Sequence, residues 1–163
     1  MEHAPAPALF SGEGTSGSPL RIVQRPQYCK RGFAIGPDAV RRARVYARTQ
    51  FTMMSWLGDQ RDATLIVDAL VSNAVEHVGP QYPEEVIVLH LAVDDEETLL
   101  IAATDPRPDF PAFQQAISAQ AITGLSLVRD LGGETSCYLS EDGATKTVQV
   151  LLRPRPPLPG ASH

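Results

Sequence analysis

Apolar residues along this chain fall at strand spacing, then helix spacing twice, then strand spacing again. Residues 30–35 read as a short strand, and Gly36-Pro37-Asp38 interrupts it. Val40, Ala43, Ala47, Phe51 and Met54 then recur at three- and four-residue intervals, with Asp38 placed as N-cap. That pattern predicts a helix ending near Gly58. A second helix opens within residues 59–62 and runs to His77 on the stripe Ala63, Val67, Leu70, Val71, Ala74 and Val78, and Gly79-Pro80 stops it.

Two strand-like runs follow, at 86–93 and 98–104, joined by the acidic turn 94–97. A proline-rich loop at 105–111 leads into a polar stretch at 113–123. A third helix starts at Gly124 and runs to Leu131, where Gly132-Gly133 stops it, and strands near 135–139 and 145–152 hinge on Glu141-Asp142-Gly143. The order βααββαββ joins hairpins to helices that can cover only one sheet face. It predicts an α+β two-layer sandwich with a mixed, mostly antiparallel sheet.

Composition sets the limits of the folded unit. Pro5, Pro7, Gly12, Gly14, Gly17, Pro19 and Pro26 make residues 1–27 an expected disordered arm. Four prolines make residues 154–163 an expected flexible tail, leaving 28–153 as one domain of the 163-residue chain. The net charge of −5 opposes direct nucleic-acid binding, which needs a basic surface to displace counterions. Cys29 and Cys137 form no disulfide framework and have no metal-ligand spacing, as expected of reduced thiols. No apolar run reaches membrane-spanning length and no leader-like pattern opens the chain, so the expectation is a cytoplasmic protein without membrane contact.

Three segments carry candidate chemistry. In Leu70-Val71-Ser72-Asn73-Ala74-Val75-Glu76-His77 the apolar stripe gives way to Asn73, Glu76 and His77 on one helix face. Asparagine is a poor mid-helix residue, and its amide oxygen suits a Mg²⁺ ion that also holds phosphates. His77, one turn on, can donate to a phosphate; a solvated helix face accounts for the same residues. Asp105 ends an apolar strand, where a carboxylate can accept from the exocyclic amine of adenine, or can simply initiate a turn before Pro106. Gly124 opens a helix, where free N–H groups and the dipole favour an anion, although capping alone explains a glycine there.

Taken in order, these segments resemble the histidine-kinase-like ATPase family of Bergerat fold, in particular small actinomycete regulators similar to anti-sigma-factor serine kinases. The resemblance rests on Phe33, Pro37-Asp38 and Ala43-Arg44, then on residues 70–77 as the asparagine box. Thr104-Asp105-Pro106-Arg107-Pro108 stands for the first glycine box, Gly124-Leu125-Ser126-Leu127-Val128 for the second, and residues 143–148 for the closing strand. It implies that Asn73 holds Mg²⁺, that Asp105 reads adenine with Thr147 in support, that Gly124 and Leu125 belong to the phosphate side, and that residues 112–123 form a lid. ATP and Mg²⁺ are the implied cofactors; a sigma factor or an anti-anti-sigma antagonist is the implied partner, and a homodimer is compatible.

Family members that phosphorylate protein serines carry a glutamate general base four residues before the asparagine. Here Ala69 stands at that position, and Asp68 beside it is rotated by about 100° on the helix. Glu76 is the remaining candidate base. Ile122 also stands where a second glycine is usual. Two functions therefore follow from the resemblance: a serine/threonine kinase acting on an antagonist protein, or a regulator that sequesters a sigma factor or antagonist without phosphoryl transfer. Exposed arginines at 41, 44 and 48 on the first helix offer a basic stripe for an acidic partner, or an ordinary solvated face.

Overall fold

The structure is a computed structural model that describes residues 28–78, 85–106, 123–142 and 144–155, with residues 77, 78, 123 and 124 described by backbone alone. The expected arm at 1–27, residues 112–122 of the lid expected at 112–123, and residues 156–163 of the tail lie outside the described residues.

Strand β1 spans Tyr28–Ala34 and helix α1 spans Ala39–Met53. Asp38 occupies the N-cap position, but its side chain makes no capping hydrogen bond. Ala39, Ala43, Ala47 and Phe51 form the buried face of α1, and three alanines among four let the helix approach its neighbours closely. Ser55, at φ 51°, turns the chain after α1, and Trp56 folds back so closely that a Cβ on Gly58 would lie 2.1 Å from its ring. Asp59 then caps helix α2, Gln60–Val78: its Oδ1 accepts from the backbone N–H of Arg61 at 2.8 Å and of Asp62 at 3.0 Å.

Strands β2, Val86–Val93, and β3, Leu99–Asp105, form a hairpin. Asp94 organises its turn by accepting the N–H groups of Glu96 and Thr98, each at 2.9 Å, with Glu97 left-handed at φ 63°. Helix α3 covers Thr123–Asp130 and ends where Gly132 takes φ 88°, which lets the Gly133 N–H donate to the Val128 carbonyl at 2.9 Å. Strands β4, Glu134–Leu139, and β5, Lys146–Leu152, close the chain.

The five strands lie in the order β1-β2-β3-β5-β4, and every neighbouring pair is antiparallel. Among the described residues the order is βααββαββ, as expected, and the class is α+β; where parallel pairs were allowed for, none occurs among the described strands. Alternation gives the sheet two faces. Ile87, Leu89 and Leu91, with Ile101 and Ala103 of β3 and Val148 and Val150 of β5, are buried on one face. They form a single core with Phe51 and Met54 at the end of α1 and Ile66, Val67 and Leu70 of α2. Burying each such large side chain contributes about 1.5–3 kcal/mol, and this layer holds α2 against β3.

Candidate functional site

Two anchors orient α2 over the sheet. At its start, Asp62 pairs with Arg155, just beyond the end of β5, at 3.1 Å. In the turn before it, Trp56 Nε1 donates to the Glu97 carbonyl, next to the start of β3, at 2.9 Å. Fastened at that end, α2 packs along β3. Asn73, eleven residues past Asp62, lies roughly 16 Å further along the helix. That carries it toward the opposite end of the sheet, where β3 delivers Asp105 and β5 begins at Lys146.

Asn73 is buried, with 4% of its surface exposed, and its Oδ1 has no hydrogen-bond partner among the described residues. Such an acceptor costs about 1–3 kcal/mol when left unmade. A neutral, hard oxygen held in the interior without a donor is the kind of atom that a cation or a phosphate-bound metal satisfies, so Asn73 fits the Mg²⁺ position implied by the resemblance. No group of three His, Cys, Asp or Glu side chains able to hold a metal by themselves occurs among the described residues. An ion at Asn73 would take its remaining ligands from phosphates and water.

Asp105 is buried at the end of β3 and forms an ion pair with Lys146 at 3.2 Å, the two side chains exposed by 2% and 1%. The pair follows from register: Asp105 lies opposite Lys146 where β3 and β5 meet, on the helix-covered face with Val148 and Val150. The pair therefore places a buried ammonium beside the carboxylate expected to read adenine. Cys137, opposite Val148, feels both charges; burial first, and the Asp105 carboxylate, raise its thiol pKa while Lys146 opposes them.

Thr147 is placed differently from its expected role. One residue from Lys146 on a strand, it points through the sheet to the other face, where its hydroxyl meets that of Thr104 at 2.7 Å. There Thr104 lies 3.3 Å from His90 Nε2, and Tyr28 Oη lies 2.9 Å from His90 Nδ1. Strand alternation thus assigns Lys146, and not Thr147, to the neighbourhood of Asp105. The signal was present in the sequence: Val148, Val150 and Leu152 share the core face, which puts Lys146 with them.

The other expected residues divide. Leu125 is buried in the core at the first turn of α3, so its side chain packs apolar neighbours. Gly124 lies in that same first turn, where a helix leaves N–H groups without intrahelical partners. His77 is part of α2, with its side chain outside the described residues. Glu76 is exposed near the end of α2, whereas Asn73 is buried, so the two side chains do not share an environment.

Asp68 is taken up by α1. Arg44 Nε donates to its two carboxylate oxygens at 3.0 and 3.2 Å, and Arg44 Nη2 donates to Oδ2 at 2.9 Å. This forked contact points Asp68 toward α1 and away from the Asn73 face, and it removes Arg44 from the basic stripe expected to face a partner. Ala69 is buried and carries no acid–base group.

No family model matches this chain, and no curated protein does. Among solved structures it is similar to the RsbU and RsbW domains of Rv1364c from Mycobacterium tuberculosis, with TM-score 0.57, 17% identity and 79% of this chain covered. The chain spans 33% of that structure's length. It is also similar to the SiaB-SiaC complex from Pseudomonas aeruginosa, with TM-score 0.54 and 13% identity, over 76% of this chain and 89% of that one. At these identities the likeness establishes the fold alone, an antiparallel sheet covered on one face by helices. No helix among the described residues is long and apolar enough to cross a membrane.

Proposed function

We propose that this chain is a nucleotide-binding regulator, resembling the anti-sigma-factor serine kinases, that uses ATP and Mg²⁺ to control its grip on a protein partner. The observation that carries this reading is the buried Oδ1 of Asn73, without a partner among the described residues, on the helix that packs along β3, the strand that ends at Asp105. Asn73 would hold the metal, Asp105 and Lys146 would meet the base, and the α3 N-terminus around Gly124 would face the phosphates; His77 is a further candidate on that side. Bound Mg²⁺ neutralises phosphate charge; the chain's own contribution is positioning. The partner is a sigma factor or an anti-anti-sigma antagonist, in a cytoplasmic setting, and the protein acts as a monomer or a homodimer.

A specific observation favours regulation without phosphoryl transfer. Ala69 supplies no base, Asp68 is held in a forked contact by Arg44, and Glu76 is solvent-exposed whereas Asn73 is buried. Losing a general base typically lowers rate by about 10²–10⁴. On this reading the protein binds nucleotide and partner and transfers phosphate slowly or not at all. The serine/threonine kinase reading then depends on Glu76 or on positioning alone.

Titration with a fluorescent ATP analogue and Mg²⁺ tests the site. Asn73→Ala should remove the Mg²⁺-dependent part of binding, and Asp105→Ala should weaken binding through the base. Unchanged affinity in both variants rejects the pocket. Incubation with labelled ATP and a panel of candidate antagonist proteins separates the two readings, since rapid serine phosphorylation is incompatible with the non-catalytic one.

A further inference from the structure

The strongest feature that the nucleotide site leaves unused lies at the other edge of the sheet. Strand β1 and helix α1 enclose a surface cleft of about 530 Å³ whose lining includes Arg31, Arg41, Arg42, Phe33, Val45 and Tyr46. Phe33 and Tyr46 meet edge to face, with ring centroids 5.7 Å apart. The Arg31 guanidinium lies over both rings, 5.7 Å from the Phe33 centroid and 5.6 Å from that of Tyr46.

The charges in this cleft have no ion-pair partner among the described residues. The ion pairs among the described residues involve Arg44, Lys146, Arg153 and Arg155, and none involves Arg31, Arg41 or Arg42. Three guanidiniums therefore converge on one cleft in a protein of net charge −5. Stacking on aromatic faces holds Arg31 before any ligand arrives, so less rotamer freedom is lost when a carboxylate binds. Val45, 60% exposed, adds an apolar wall beside the charges.

We propose that this cleft is a docking site for an acidic segment of a protein partner, one that places carboxylates against Arg31, Arg41 and Arg42 and an aromatic or aliphatic side chain against Tyr46 and Val45. Charge complementarity selects the occupant. A nucleic acid is the poorer fit, because long polyanions need an extended basic track and the rest of this chain is acidic. The site is separate from Asn73 and Asp105 and does not depend on nucleotide binding.

The full chain is to be titrated into a fluorescein-labelled random copolymer of glutamate and tyrosine and followed by anisotropy. A lysine–tyrosine copolymer and a single-stranded oligothymidylate serve as comparators. Binding to the glutamate copolymer should weaken with salt and fall at least about tenfold in R31Q/R42Q, while R48Q, altered on another part of α1, retains it. N73L should bind the copolymer as the parent does, so failure of the nucleotide reading and failure of this one are told apart. The proposal is overturned if the glutamate copolymer does not bind, if R31Q/R42Q binds it unchanged, or if the oligothymidylate binds at least as tightly.

Discussion

Replacing Asn73 by leucine tests whether a functional atom is being kept at the expense of stability. The side chain is 96% buried and its Oδ1 has no partner among the described residues, so on this reading the unliganded protein carries an unsatisfied acceptor. Removing that atom recovers about 1–3 kcal/mol, and leucine's better helix propensity adds roughly 0.5 kcal/mol. Repacking around the slightly longer branches takes back part of this, leaving a gain of about 1–2 kcal/mol. For a domain of this size each kcal/mol corresponds to roughly 3–6 °C in Tm. Urea unfolding of nucleotide-free protein should therefore show Asn73→Leu more stable than the parent. Adding Mg²⁺ and ATP should stabilise the parent by mass action and stabilise the variant less, with no dependence on Mg²⁺. Asn73→Ala controls for bulk, since it removes the same acceptor without adding methyl groups. If both variants lose 1 kcal/mol or more without nucleotide, Asn73 has a structural partner and the ligand argument fails.

Two further predictions follow from the packing. A Cβ at Gly133 would lie 2.7 Å from Val150 Cγ1 and 2.8 Å from Val128 Cγ1, with the Val128 carbonyl at 3.1 Å, so Gly133→Ala should cost about 1–3 kcal/mol in urea unfolding; an unchanged midpoint would show that β4 and α3 separate easily. His90 has its pKa lowered from 6.5, first by burial and then by Lys30. The folded state thus binds a proton less readily than the unfolded chain, so this stability is complete above about pH 6.5 and is lost as pH falls through the lowered folded value. His90→Gln should flatten the slope of stability against pH just below 6.5, and an unaltered slope would place the titrating group elsewhere.

The element order was legible because the punctuation is strong. Asp59 caps, Gly132-Gly133 stops a helix, and Asp94 and Asp142 shape the two hairpin turns, each through local geometry that the sequence carries within a few residues. What required three dimensions was the pairing of distant positions. The insertion of β5 between β3 and β4 brings Lys146 opposite Asp105, forty-one positions earlier. Motif resemblance places Thr147 in support of the base, whereas a one-residue parity step on the strand sends it through the sheet to Thr104. Likewise Arg44 and Asp68 lie on separate helices, and no periodicity within either one announces their contact. Asn73 stands out in the sequence as a polar residue on a helical stripe; that its oxygen is also buried without a partner among the described residues is visible only in the packed structure.

Trp56 gives this protein a built-in optical gauge of one region. It is the chain's single tryptophan, 4% exposed, and its indole N–H is tied to the turn between β2 and β3. That turn lies at the end of the sheet opposite Asp105, while Phe51 packs beside the indole with ring centroids 6.0 Å apart. Its emission therefore reads the junction of the two long helices with the first hairpin. A red shift would signal that this junction has opened, with no competing tryptophan signal from the nucleotide end or from the arginine cleft.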